Sequence, residues 1–238
     1  MAEYNNVEAL EDIIAFFSDA DISKNFILIG SWCEFFYQEL LPDYMSGMKT
    51  KDFDFYCDNE RFSVNHASVA KGLRDYGFWY DEDMGGKSIL YNKNNDSVEF
   101  LASYSREGKG LANLKAIGIK AERLPYLDIY KTHNISTGGL LVYGDIRIPT
   151  PAAYVMHKII INDERSPEKQ KKDEKAIKEL LNHFRPEDMK ELKDIYNELG
   201  KKTRKRLNRN AVEIGIDTDL FDKRQNERIN SAPTFPDI

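Results

Sequence analysis

Two aspartates at alternate positions, in Thr50-Lys51-Asp52-Phe53-Asp54-Phe55, are the residues of this chain best placed to do chemistry. In a strand, residues two apart share a face. Asp52 and Asp54 then point one way while Phe53 and Phe55 bury on the other side. Neighbouring carboxylates repel unless a cation lies between them. Hard oxygen donors of this kind suit Mg²⁺, or Mn²⁺, holding a phosphate chain. Upstream, the apolar run Phe26-Ile27-Leu28-Ile29 stops at Gly30-Ser31. Glycine permits a sharp turn and the close approach of a phosphate. Ser31 suits the cap of a helix starting at Trp32, or the donation of its hydroxyl to a phosphate; the two uses are compatible. A helix start adds open N–H groups and partial positive charge.

The elements that must position these residues follow from periodicity. Leu10, Ile13, Ile14 and Phe17 recur at helical spacing and predict a first helix over Val7–Phe17. Strands are expected at Phe26–Ile29 and Asp52–Cys57, with a helix over Trp32–Leu41 between them, stopped near Pro42. A helix over Val64–Tyr76 closes at Gly77. Strands at Phe78–Asp81, Lys87–Tyr91 and Ser97–Ala102 are joined by turns at Gly85-Gly86 and Asn94-Asn95-Asp96. Ser105–Asn113 is polar and glycine-rich and reads as a loop. Residues 114–149 are ambiguous, with short strands expected at Leu140–Tyr143 and Asp145–Ile148. From Pro151, with Thr150 as cap, the chain turns helical: Pro151–Ile161, Glu168–His183 and Pro186–Asn208, the last broken near Gly200. The expected division is a head over 1–149, a helical part over 150–230 and a disordered tail over 231–238.

Strand, Gly-Ser, helix and then T-x-D-h-D-h, with h apolar, resembles the nucleotidyltransferase fold of the DNA polymerase β superfamily. The fold class this implies is α/β (α+β): a mixed sheet with flanking helices, followed by a helical C-terminal part, with the active site in the cleft between them. The resemblance spans roughly residues 20 to 185. Arg147-Ile148-Pro149-Thr150-Pro151, His157-Lys158, Arg165, Lys169, Lys172 and Asp173 look like the helical motif of bacterial abortive-infection-type members.

What the resemblance implies for the site is specific. Asp52 and Asp54 would be metal ligands, with Gly30 and Ser31 on the phosphates of an NTP such as ATP. A third carboxylate comes from a neighbouring strand. Ser97-Val98-Glu99-Phe100-Leu101 offers Glu99, as metal ligand or as base for the acceptor hydroxyl, although Asp96 lies three residues away and the choice between them is open. Lys158 either neutralises the triphosphate or snorkels to solvent. Arg165, Lys169 and Lys172 fall where relatives carry basic residues for phosphate or acceptor, although Lys169 also fits a solvated charge run. Asp173 either orients Lys158 or Lys172 by an ion pair or forms a helix-surface pair with Lys169. The implied activity is metal-dependent transfer of an NMP from an NTP to a hydroxyl. Relatives modify tRNA ends, proteins or small molecules, and the abortive-infection likeness points to RNA or protein acceptors, a toxin-like role and an antitoxin-like partner. The alternatives are a non-catalytic nucleotide-binding module on the same fold, and an unrelated α/β interaction protein whose paired aspartates are coincidental.

Composition sets outer bounds. A chain of 238 residues with 41% hydrophobic and 12% aromatic content can build a substantial core. The net charge of −6 carries no global signature for nucleic acid, yet Lys201, Lys202, Arg204, Lys205, Arg206 and Arg209 form a basic run with no acid inside it. Such a run either contacts phosphate backbones or is simply a solvated helix face. Cys33 and Cys57 lack metal-ligand spacing and read as reduced and buried, in keeping with a cytoplasmic protein. The four histidines, His66, His133, His157 and His183, match neither zinc nor triad spacing. Trp32 reads as core, while Tyr37 and Tyr44 either stack on a base or fill the core. No apolar run approaches a bilayer span, so no membrane partner is expected.

Overall fold

The computed structural model describes residues 6–47, 50–62, 68–104, 108–142 and 144–221. The expected tail and His66 lie outside them. In chain order the elements are α1 (Val7–Asp19), β1 (Phe26–Ile29), α2 (Trp32–Leu40), β2 (Asp52–Cys57), α3 (Val69–Asp75), β3 (Phe78–Glu82), β4 (Ser88–Asn92), β5 (Ser97–Ser103), β6 (Leu111–Leu114), β7 (Ile119–Leu124), α4 (Ile129–Thr132), β8 (Asn134–Ser136), β9 (Arg147–Pro149), α5 (Pro151–Ile161), α6 (Pro167–Asn182), α7 (Pro186–Glu198) and α8 (Lys201–Glu213). The chain divides into two compact units, Met1–Thr150 and Pro151–Ile238.

The first unit is built on one mixed sheet in the order β3-β4-β5-β2-β1-β9-β8. Strand β2 lies antiparallel to β1 and parallel to β5, with β4 antiparallel on the far side of β5. Beyond the reach of β4, the end of β5 pairs with β7, which carries β6. Alternation gives the sheet two unlike faces. On one, Phe26, Phe55 and Phe100 meet Phe17 of α1, at ring separations of 4.8, 4.9 and 6.4 Å from Phe17. Each fully buried ring of this kind contributes about 1.5–3 kcal/mol. Trp32 stacks on Phe53 at 5.1 Å and is core. Tyr37 and Tyr44 are buried too, their hydroxyls donating to Pro149 O and Glu34 Oε2.

Four expectations need correcting. The loop read over Ser105–Asn113 instead enters strand β6 at Leu111, because its apolar Leu111-Ala112 and Leu114 pair with β7; residues 105–107 lie outside the described set. Leu140–Tyr143 is not a strand. The segment holds only a bridge between Leu141 and Gly144, with Tyr143 outside the described residues. Asp145 is taken up in a side-chain-pinned turn, accepting the Ser136 and Thr137 hydroxyls and the Gly138 N–H, and the strand starts later, at Arg147. The third helix starts at Val69 behind Ser68, with 63–67 outside the described residues, and closes at Gly77, whose φ of +80° is the left-handed stop.

The second unit is helical. Its α5 is buried along nearly its whole length, and α6, α7 and α8 pack on it. The basic run lies on α8, and part of it is spent internally. Arg206 and Arg209 both bind Asp163, and Arg206 also reaches Glu164 at 2.7 Å. Nearby, the fully buried Asn210 donates Nδ2 to Ile159 O, Ile160 O and Asp163 Oδ1, satisfying carbonyls at the end of α5. Asn210→Leu should lose about 1–3 kcal/mol of stability by stranding those acceptors, read as a lower urea midpoint; an unchanged midpoint would contradict this role.

Candidate active site

Opposite the phenylalanine core, the sheet carries its acids. Asp54 pairs with Glu99 and Asp52 with Ser97 across the β2–β5 ladder. Partners in register share a face, so Asp52, Asp54, Ser97 and Glu99 all point away from the core. The Ser97 hydroxyl donates to Asp52 Oδ1 at 2.7 Å. Asp54 lies beside the β1–α2 turn. Gly30 has φ +75°, and a Cβ built there would sit 2.4 Å from Asp54 Oδ2. Glycine is therefore required twice, for its backbone angle and for the carboxylate lying against it.

Ser31 does not cap α2. Its backbone is already helical, at φ −69° and ψ −20°, which turns the hydroxyl away from the N–H groups that an extended cap would reach. Among the described residues that hydroxyl has no partner.

Glu99 is the acid that faces Asp54, but it is held. Lys87 Nζ donates to Glu99 Oε2 at 2.8 Å and reaches Glu122 Oε2 at 3.4 Å. Partial burial works against the lysine's charge, but the two carboxylates outweigh it and hold its pKa above the usual value. The β3–β4 turn delivers this lysine: Asp83 Oδ1 accepts the N–H groups of Gly85 and Lys87, both at 2.9 Å. Sequence reasoning missed Lys87. The signal was its place just after the Gly85-Gly86 turn, directly before the strand that pairs with Glu99's own. Asp96, the other candidate third acid, is fully buried and accepts from Asn6 Nδ2 at 2.6 Å and Asn92 Nδ2 at 2.8 Å. It locks a turn and lies on the opposite parity from Glu99.

No three His, Cys, Asp or Glu side chains among the described residues gather closely enough to hold a metal. Asp52 and Asp54 nonetheless fit a divalent ion by chemistry: two hard oxygen donors on one face, next to a backbone left open by glycine. Further along that face Tyr56 bonds to Ser103 at 2.6 Å, and Ser103 donates to Asp128 Oδ1 at 2.8 Å. Burial drives the Tyr56 phenol well above its usual range, so it stays protonated. Arg147 forks onto Asp58, with two N–O separations of 2.8 Å, and ties β9 to the end of β2.

Within the second unit, Lys158, Arg165 and Asp173 come together. Lys158 Nζ lies 2.7 Å from Asp173 Oδ1, and Arg165 Nε lies 3.0 Å from Oδ2. Lys158 also sits over the Tyr154 ring at 5.2 Å. It is buried rather than snorkelling, and Asp173 takes it in place of Lys169 or Lys172, both of which are exposed. His157 is buried in the same helix.

A family model described as nucleotidyltransferase matches residues 8–200. The chain belongs to the nucleotidyltransferase family. It is a transferase, and the match takes in both the Gly30-Ser31 turn and the Asp52/Asp54 strand. No curated protein matches it. Among solved structures, the antibiotic-resistance factor ANT(2″)-Ia is similar at 11% identity and TM-score 0.43, over 88% of this chain and 92% of that one. The same protein in complex with adenylyl-2″-tobramycin gives 11% and 0.42, over 88% and 98%. An antigenic nucleotidyltransferase-like protein from Paracoccidioides brasiliensis gives 13% and 0.44, over 92% and 97%. The membership rests on the family model, since likenesses this distant add nothing to it.

Two substitutions test these placements. Gly30→Ala must displace the Asp54 carboxylate and strain the turn. It should cost about 1–3 kcal/mol and lower transferase activity; a wild-type melting curve and rate would contradict this. Asp173→Ala leaves a buried ammonium unpaired and should cost about 3–5 kcal/mol, whereas Lys172→Ala should leave the thermal midpoint unchanged. Equal effects from the two would show that the Lys158–Asp173 pair has no special standing.

Proposed function

We propose that this nucleotidyltransferase moves an NMP from an NTP to a hydroxyl acceptor on RNA, using a divalent metal held by Asp52 and Asp54. The observation that carries the reading is the carboxylate pair sharing one sheet face beside the Gly30 turn. An ion bound there would neutralise the triphosphate and make the attacking hydroxyl more acidic. The chain's own part is positional. Ser97 fixes Asp52, the bare Gly30 backbone leaves room for a phosphate, and the unused Ser31 hydroxyl is available to donate to it. Lys87 holds Glu99 beside Asp54 as the third acid. Lys158 is given no phosphate in this reading, because it is already committed to Asp173. Lys201, Lys202 and Lys205, exposed on α8, support a polyanionic acceptor.

The test is to incubate the protein with each α-labelled NTP, Mg²⁺ or Mn²⁺ and total RNA. Wild type should label RNA. Asp52→Asn or Asp54→Asn should lower labelling by about a thousandfold, a loss of roughly 4 kcal/mol of transition-state stabilisation, with an unchanged circular dichroism spectrum. Wild-type labelling by the double variant would overturn the proposal.

A further inference from the structure

At the free edge of the sheet, α3 and β3 enclose a surface pocket of about 380 Å³ lined by Ser68, Lys71, Arg74, Phe78, Trp79 and Tyr80 among others. Its lining combines two chemistries. Lys71 and Arg74, three residues apart on α3, share a helix face. Neither has an ion-pair partner among the described residues, in a protein whose net charge is −6. Trp79 and Tyr80 are 52% and 39% exposed, unusual for such rings. The Tyr80 ring is fixed, since its hydroxyl binds Glu82 at 2.6 Å and Ser88 at 3.0 Å. Glu82, the carboxylate that would repel an anion here, is itself paired with Lys120 at 2.9 Å.

Cations for phosphate and exposed rings for stacking are what a single-stranded nucleic acid requires. Trp79 and Tyr80 are adjacent on β3 and point to opposite faces: Tyr80 lies on the phenylalanine side with α3, whose Gly72 packs against Phe16, and Trp79 lies on the side of the carboxylates. Trp79 pairs with Tyr91, Tyr91 with Ser97, and Ser97 with Asp52. Strand neighbours lie about 4.8 Å apart, so this row carries Trp79 to Asp52 across roughly 14 Å of one sheet face. Tyr91 in the middle of the row is 38% exposed and offers a second ring. We infer that a single strand of RNA crosses the free edge of the sheet here, seating phosphates on Lys71 and Arg74 in the α3–β3 pocket and stacking a base on Trp79 on the carboxylate side, with Tyr91 along the path to Asp52. The inference rests on the RNA-transfer reading for its purpose, but not for its test.

The chain has two tryptophans, and Trp32 is buried at 1% exposure, so quenching of tryptophan fluorescence by nucleobases reports on Trp79. The full-length protein is titrated with a single-stranded oligoribonucleotide, a mononucleotide and duplex RNA, without metal or NTP. Saturable quenching by the single strand, much weaker with the other two, is expected. Lys71→Gln/Arg74→Gln should weaken binding about tenfold and lower the salt slope by about 1.4, as for two lost phosphate contacts. Trp79→Ala, followed by anisotropy of labelled RNA, should weaken it by a similar factor. The titration contains neither metal nor NTP, which separates this claim from transfer. Equal binding of mononucleotide and oligonucleotide, or RNA affinity unmoved by the Lys71/Arg74 and Trp79 variants, overturns the proposal even if labelling by wild type succeeds.

Discussion

Crowding of negative charge on one side of a sheet is the constraint from which the first unit's chemistry follows. Asp52, Asp54 and Glu99 share a face across two adjacent strands, and Glu122 reaches the same lysine as Glu99. Such a set is unfavourable without compensation. The chain offers three kinds: a hydroxyl from Ser97, an ammonium from Lys87, and at Gly30 an opening beside Asp54 that any side chain would close. Lys87 accounts for Glu99, and Ser97 only partly answers Asp52. The Asp52/Asp54 end of the face is where the proposed dication would sit.

The phenylalanine cluster on the other face keeps the acids where they are. A one-residue slip of β2 would send Asp52 and Asp54 into the rings of Phe17, Phe26 and Phe100 and bring Phe53 and Phe55 into water. Burial of those rings thus fixes register, and register fixes which oxygens can share an ion. The second unit uses buried charge differently. Its Lys158–Asp173–Arg165 cluster is closed on itself, with the lysine and aspartate side chains 8% and 3% exposed. Breaking such a cluster costs more than forming it gains, which makes it a determinant of one specific helix packing.

The alternation in Asp52–Cys57 and the apolar run at Phe26–Ile29 were legible because a strand buried on one side must write its period into the sequence. The helices from Pro151 onward were legible for the same reason, with Pro151, Pro167 and Pro186 each at a first helical position. Residues 111–149 were not. Strands β6, β8 and β9 are three or four residues long, too short to write a period, and β9 is placed by pairing with the distant β1, while the Asp145 turn depends on side-chain hydrogen bonds that leave no periodic trace. In the site, the aspartate pair and Gly30 could be read because their neighbours are local. Lys87's hold on Glu99 could not, since it depends on the pairing of β4 with β5. Nor could the pairing of Asp173 with Lys158, fifteen residues away, be chosen in advance over Lys169 or Lys172.

The most direct measurement is of the ion itself. Mn²⁺ is titrated into the full chain in the presence of a non-hydrolysable NTP analogue, and the free ion is followed by electron paramagnetic resonance. The account predicts nucleotide-dependent Mn²⁺ binding by wild type and its loss in Asp52→Asn/Asp54→Asn, with secondary structure intact. Equal Mn²⁺ uptake by both proteins would contradict it.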